Sequence, residues 1–171
     1  MLNPFRKSYN AEELDIFRFL QKATLFSELT QDELYNFLPY LYLRQYKENE
    51  VVFFRNDPSQ ALYIIQKGQI SLSITLSDKT EYLTSVSTHQ TLGDNSLIPN
   101  AKRIYNAIVT SEVAEMYVLP QANLLAVFER DARIKAKMYA ALSTSYNQYM
   151  VNLFKAYQSS FGFFDLSTAY K

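Results

Sequence analysis

LGDNSLIPNAKRIYNAIV occupies residues 92–109, directly after a series of β-patterned segments. It holds Gly93, one of only three glycines in the chain. Asp94 follows that glycine at once, and Arg103 comes ten positions after it. The residues between are enough for one turn of helix. A glycine opening such a turn lets the backbone approach a ligand closely and leaves the first N–H groups free to hold an anion. Arg103 brings a planar guanidinium able to clamp a phosphate with two bonds. Asp94 can accept hydrogen bonds from a sugar hydroxyl. The plainer alternative is a turn glycine, a solvated acid and a surface arginine in a pocket that has lost its ligand.

Around this stretch, short runs rich in β-formers fall at residues 42–46, 51–54, 61–65, 69–76, 82–87 and 107–118. Turn signals separate them at 47–50, 56–59, 67–68 and 77–79. In the fourth run Ile70, Leu72, Ile74 and Leu76 alternate with Ser71, Ser73 and Thr75. That alternation predicts a half-buried strand with one polar face. Several short strands at this spacing predict a barrel or jelly roll.

Helical spacing brackets the strands. Leu14, Phe17, Leu20 and Ala23, broadened by Ile16 and Phe19, predict a first helix over 11–25. Thr30-Gln31-Asp32-Glu33 has the capping-box pattern. The helix it opens carries Leu34, Phe37 and Leu38 and stops at Pro39. Beyond the strands, a short helix over 122–128 follows Pro120, and Asp131 caps a long one over 132–157. In that helix Leu142, Tyr146, Tyr149, Leu153 and Ala156 repeat at four and three. The stripe is about two heptads of coiled-coil spacing and fits a symmetric dimer seam. A helix packed on its own barrel accounts for the same stripe.

The 92–109 stretch resembles the phosphate-binding cassette of the cyclic nucleotide-binding domain family. That cassette reads Gly-Glu, an aliphatic, a small residue, Leu, a short spacer, Arg, then two small residues. Gly93, Ser96, Leu97 and Arg103 match it. Asp94 replaces the glutamate and is one methylene shorter, and Asn95 replaces the aliphatic. Ile104 and Tyr105 stand where the family usually has Ala or Ser. Residues 49–57, NEVVFFRND, and 63–70, YIIQKGQI, are similar to two further stretches of the family's roll. Asn49, Asn56 and His89 fall at glycine positions there, and Gly68 keeps another. Asn is the best non-glycine residue for a positive φ, so such turns are sterically feasible.

The resemblance implies an α+β chain. Its centre is an antiparallel β-roll, a double-stranded jelly roll, with N-terminal helices and a long C-terminal helix. It implies one domain over 1–171, with a helical lead-in at 10–40, the roll at 41–119, helices at 121–158 and a tail at 159–171. The implied role is a stand-alone sensor that holds cyclic AMP, cyclic GMP or a similar phosphate ligand. Gly93, Asp94, Asn95, Ser96, Leu97, Arg103, Ile104 and Tyr105 would line the phosphate side, with Tyr146 and Asn147 toward the purine. In the family's bacterial regulators of the catabolite activator and fumarate-nitrate type, the equivalent long helix forms a homodimer. The alternatives are a degenerate pocket serving as a dimeric interaction module, or a regulator relative without its helix-turn-helix.

Composition narrows the chemistry. The chain has 171 residues, with 48% hydrophobic and 20% charged, which suits one globular domain. No cysteine is present, which excludes disulfides, zinc–thiolate sites and thiol catalysis. His89 is the only histidine and reads as a turn or surface residue. No Walker loop, Rossmann fingerprint or nucleophile elbow occurs, so no enzyme and no metal site is expected. Lys plus Arg and Asp plus Glu both total 17, which leaves no electrostatic footprint for DNA. The residues after 157 carry a single Lys and an aromatic run, Phe161-Gly162-Phe163-Phe164. The expectation is a cytoplasmic protein with neither a membrane span nor a DNA-binding output domain.

Overall fold

The computed structural model describes residues 8–76 and 79–161. Most of the 77–79 turn, and the tail from Gly162 onward, lie outside the described residues. The strands form two four-stranded antiparallel sheets. One runs β1 (Tyr42–Lys47), β8 (Val113–Pro120), β3 (Ala61–Lys67), β6 (Thr91–Leu92). The other runs β2 (Val51–Phe53), β7 (Asn106–Val109), β4 (Gln69–Leu76), β5 (Lys79–Ser87). Together they make the antiparallel β-roll.

Two cores flank the first sheet. Phe53, Ile65, Ile70, Leu72, Val86, Leu92 and Met116 fill the interior of the roll. On the outer face, Leu62, Ile64 and Leu119 meet a helical layer. Strand β3 is therefore buried on both faces, which is why ALYII reads as an unbroken apolar run rather than an alternation. The helical layer comprises α1 (Ala11–Leu20), a 3₁₀ turn (Thr24–Phe26), α2 (Gln31–Tyr35), α3 (Gln121–Arg130) and the first half of α4 (Ala132–Phe161). Phe17, Leu20, Phe26, Phe37, Ile134 and Met138 are among its fully buried residues. Each such side chain contributes about 1.5–3 kcal/mol through removal from water.

Local chemistry sets the ends. Thr30 and Glu33 form the capping box reciprocally, with the Thr30 N–H donating to Glu33 Oε2 at 2.8 Å. Lys137 then donates to the same carboxylate at 2.7 Å, which fastens α2 to α4. Asp131 Oδ1 accepts from the N–H of Arg133 at 2.8 Å and caps α4. Asn49, Asn56 and His89 adopt φ of 67°, 72° and 69°, the left-handed conformation their positions predict. Asn100, at 60°, is a fourth such residue that the pattern did not flag.

The structure corrects four details. The first helix stops at Leu20, because Ala23 is extended and the 3₁₀ turn takes over. The second helix stops at Tyr35, and Pro39 lies inside a separate 3₁₀ turn, Leu38–Tyr40, rather than ending that helix. The 107–118 run divides into β7 and β8, since the N–H groups of Thr110 and Ser111 turn back onto the Gln69 carbonyl. The ladder between β4 and β5 shifts where Leu72 pairs with Thr84 but Ser73 pairs with Tyr82, which leaves Leu83 of β5 as the unpaired bulge residue. Ser73 is buried, so the polar face expected of β4 is not wholly exposed. Among the described residues no helix is long and apolar enough to cross a membrane. No cluster of His, Cys, Asp and Glu among them is fit to hold a metal ion.

Candidate functional site

Gly93 adopts φ 70° and ψ 34° and opens the 3₁₀ turn Asp94–Leu97. Residues 56–59 run antiparallel beside 101–103. The Asn56 N–H donates to Arg103 O at 2.9 Å, the Arg103 N–H to Asp57 O at 2.8 Å, and the Ser59 N–H to Ala101 O at 2.9 Å. That pairing places Ser59 next to the Arg103 guanidinium. Nη1 donates to Ser59 Oγ at 2.8 Å and Nη2 to Ala61 O at 2.7 Å. Ser59 in turn donates to Asn95 Oδ1 at 2.7 Å, and Asn95 Nδ2 donates to Lys102 O at 2.6 Å. Asn95, the polar departure from the cassette pattern, thus closes a relay that pins Arg103. The guanidinium lies 4.2 Å from the Phe53 ring centre and 5.6 Å from that of Tyr63, within cation–π range of both. It is only 4% exposed, and burial pulls its pKa below the usual value.

A cavity of about 470 Å³ opens between the inner face of the second sheet, the Gly93 turn and the outer half of α4. The volume falls within the usual range for small-molecule sites. Phe53, Leu72, Leu83 and Val86 form its apolar wall, and Tyr146, Tyr149 and Leu153 of α4 cover it. Its polar groups are few and underused. Asp94 is 9% exposed and its Oδ1 has no hydrogen-bond partner. Arg103 Nε is likewise buried and unpartnered, as is Ser96 Oγ behind the turn and outside the lining. Burial pushes the Asp94 carboxyl above its ordinary pKa, while Thr91, its own backbone N–H and Arg103 pull it back. Burial, then the Asp94 charge and Tyr149, push Tyr146 up to about 12.

A raised carboxyl pKa means that folding favours the protonated form. Asp94 therefore stabilises the fold below its ordinary pKa, and that contribution is lost as pH rises through its folded pKa. Asp94→Asn is expected to gain about 1–2 kcal/mol at neutral pH by removing a buried, under-partnered charge. That corresponds to a Tm rise of about 2–8 °C, shrinking toward zero below pH 4 or so. Thermal unfolding at pH 4 and 7.5 measures it. A variant less stable than wild type at pH 7.5 would show that the carboxylate is fully compensated.

Of the residues named from sequence, Gly93, Asp94, Asn95, Arg103, Ile104, Tyr105 and Tyr146 line this one cavity. Three do not. Ser96 is buried behind the turn, Leu97 belongs to the helical core, and Asn147 is exposed outside the lining. Ser96 and Leu97 instead fasten the turn to the helices. Gln121 Nε2 donates to Ser96 O at 2.7 Å and the Tyr139 hydroxyl to Leu97 O at 2.6 Å. Sequence reading missed Phe53 as the face under Arg103, and Ser59 and Ala61 as its acceptors. Tyr149 and Leu153, expected from sequence in a dimer seam, also line the cavity. A larger groove of about 580 Å³ between α2 and α4 holds Glu33 and Lys137, which already bond each other.

The cyclic nucleotide-binding domain profile matches residues 43–131, just over half of the chain. A Rhodopseudomonas palustris protein named for a potassium channel is 27% identical over 117 residues, 68% of this chain and 28% of that protein. The cyclic AMP receptor protein of Thermus thermophilus is 25% identical over 125 residues, 72% of this chain and 57% of that protein. The chain thus spans about a quarter and just over half the length of these two relatives. The sensor domain of the transcriptional regulator DNR of Pseudomonas aeruginosa superimposes with a TM-score of 0.68 at 16% identity, covering 82% of this chain and 95% of that one. The profile covers more than half of the chain, and the roll has the same fold as its solved neighbours: the chain belongs to the cyclic nucleotide-binding domain family.

Proposed function

We propose that this chain is a cytoplasmic sensor domain that holds a cyclic nucleotide, or a similar phosphate ligand, in the roll cavity. Its output is a change in dimer geometry or partner contact, not catalysis and not DNA binding by this chain. The observation that carries the reading is the convergence of the Gly93 turn, Asp94 and Arg103 on one apolar-walled cavity, with Asp94 Oδ1 and Arg103 Nε buried and unpartnered. Orphaned buried polar atoms are rare in folded proteins, and a ligand is one thing that satisfies them. The Arg103 fork retains N–H donors beyond the two in use, and Asp94 retains a free acceptor. A second reading, a degenerate pocket acting as a dimeric interaction module, is favoured by Ile104, 64% exposed at the mouth, and by Tyr105 inside it.

Calorimetric titration with cyclic AMP and cyclic GMP tests the proposal. Arg103→Ala is expected to cost about 1.5–3 kcal/mol of ligand binding, the worth of hydrogen bonds to a charged group. Circular dichroism checks the fold, because Arg103 also ties Ser59 and Ala61. An affinity unchanged by the substitution removes Arg103 from the site. No binding of either nucleotide by wild type favours the interaction module.

A further inference from the structure

We infer that Tyr105 is an internal occupant of the anion seat, so that a phosphate-bearing ligand enters only by displacing it. The inference deepens the sensor reading and rests on it for the ligand. The Tyr105 hydroxyl accepts from the Gly93 N–H at 3.5 Å, the amide at the head of the 3₁₀ turn. Its ring stands 5.7 Å from that of Phe53, and Phe53 carries the Arg103 guanidinium at 4.2 Å. Phenol, benzene ring and guanidinium are therefore one packed group at the inner end of the cavity. Ile104 beside it is exposed, so the backbone here turns Tyr105 inward and Ile104 outward. Burial and the Asp94 charge both push the Tyr105 hydroxyl pKa up, which keeps it a neutral phenol. A neutral hydroxyl against the turn amide, near Arg103, stands where a ligand oxygen would otherwise sit. Arg103 Nη1 and Nη2 each spend one N–H on Ser59 and Ala61, so the guanidinium is held in place beside the phenol while its remaining donors stay free. Apparent affinity then falls by the fraction of molecules in which the seat is open.

The test uses the full chain, ¹⁵N-labelled, with inorganic phosphate, cyclic AMP, cyclic GMP and phosphate-free adenosine as probes. With only three glycines in the chain, the Gly93 amide signal is readily assigned. Tyr105→Ser empties the seat, and Tyr105→Phe keeps the ring but removes the hydroxyl. Tyr105→Ser is expected to bind cyclic AMP about tenfold tighter than wild type, because no fraction of the seats stays closed. Adenosine affinity should not change, and inorganic phosphate should shift the Gly93 amide in Tyr105→Ser only. Tyr105→Phe should move that amide without any ligand. If wild type and Tyr105→Ser bind cyclic AMP equally well, the inference falls and the sensor reading stands. If phosphate shifts Gly93 in Tyr105→Ser while neither protein binds a cyclic nucleotide, the inference stands and the cyclic nucleotide reading falls. If Tyr105→Ser responds to no probe, or Tyr105→Phe leaves Gly93 unmoved, the hydroxyl does not hold the seat and the inference is overturned.

Discussion

Gly93→Ala is expected to cost about 3–5 kcal/mol, one of the larger effects a single methyl group can have. Two causes add. The residue sits at φ 70°, where an L side chain costs about 1–2 kcal/mol. A Cβ built there also lands on Arg103 Nη1, well inside contact distance, and 2.9 Å from Ala61 O. The guanidinium has nowhere cheap to go, because its two bonds to Ser59 and Ala61 are buried. Displacing it leaves those acceptors and a cation unpaired, at about 1–3 kcal/mol for each orphaned group. The decisive measurement is a double-mutant cycle by denaturant unfolding. In an Arg103→Ala background the guanidinium clash is gone, and Gly93→Ala should cost less, keeping about 1–2 kcal/mol for the backbone conformation together with the 2.9 Å contact on Ala61 O. Equal costs in the two backgrounds would mean that glycine and arginine do not share the space. Gly68→Ala is the contrast: its Cβ would meet Val113 O at 2.6 Å and Ala114 Cα at 2.7 Å, atoms of the backbone that no side-chain deletion removes.

That coupling also shows what the sequence made legible and what it did not. The turns were readable because a positive φ is a local demand, met by Asn49, Asn56 and His89 whatever lies around them. The capping box of α2 was readable for the same reason, since its bonds join residues three apart. The strands emerged from short runs of β-formers between turn signals, with strict alternation only in β4, and two features escaped that reading. Thr91–Leu92 is too short to carry a period, and the bulge opposite Leu72 shifts the phase within one strand. At the site, Gly93 and Arg103 were visible as a spaced pair. The acceptors that hold Arg103 lie 44 and 42 residues before it and carry no pattern of their own. A serine and a backbone carbonyl become informative only once the 56–59 and 101–103 segments are seen to pair. Leu97 and Asn147 are the reverse case, near the cavity in sequence but outside its lining. The 3₁₀ turn sends Leu97 into the helical core, and the helical period sends Asn147 outward.

Lysine at both Tyr149 and Leu153 is expected to yield a monomer with its β-roll intact, if the outer half of α4 joins two copies as we propose. Leu142 anchors the stripe in the helical core, while Tyr149 and Leu153 remain 59% and 65% exposed even though they line the cavity. Met150 is also exposed and lies outside the lining, one residue round the helix from Tyr149. The apolar stripe is thus wider than the cavity mouth can cover, and an uncovered aromatic face of this kind marks an interaction surface. In a twofold pair each helix would lay that surplus against its copy. Burying the exposed remainder of Tyr149 and Leu153 on both helices is worth about 4 kcal/mol, which is roughly three powers of ten in association. The four introduced cations oppose pairing further, and more strongly at low salt. Light scattering on wild type and double variant reads the oligomeric state, and circular dichroism reads the fold. A monomeric wild type refutes the seam. A variant that unfolds would show that Tyr149 and Leu153 serve the roll beneath them. A folded variant that stays dimeric would move the interface to another face of the molecule.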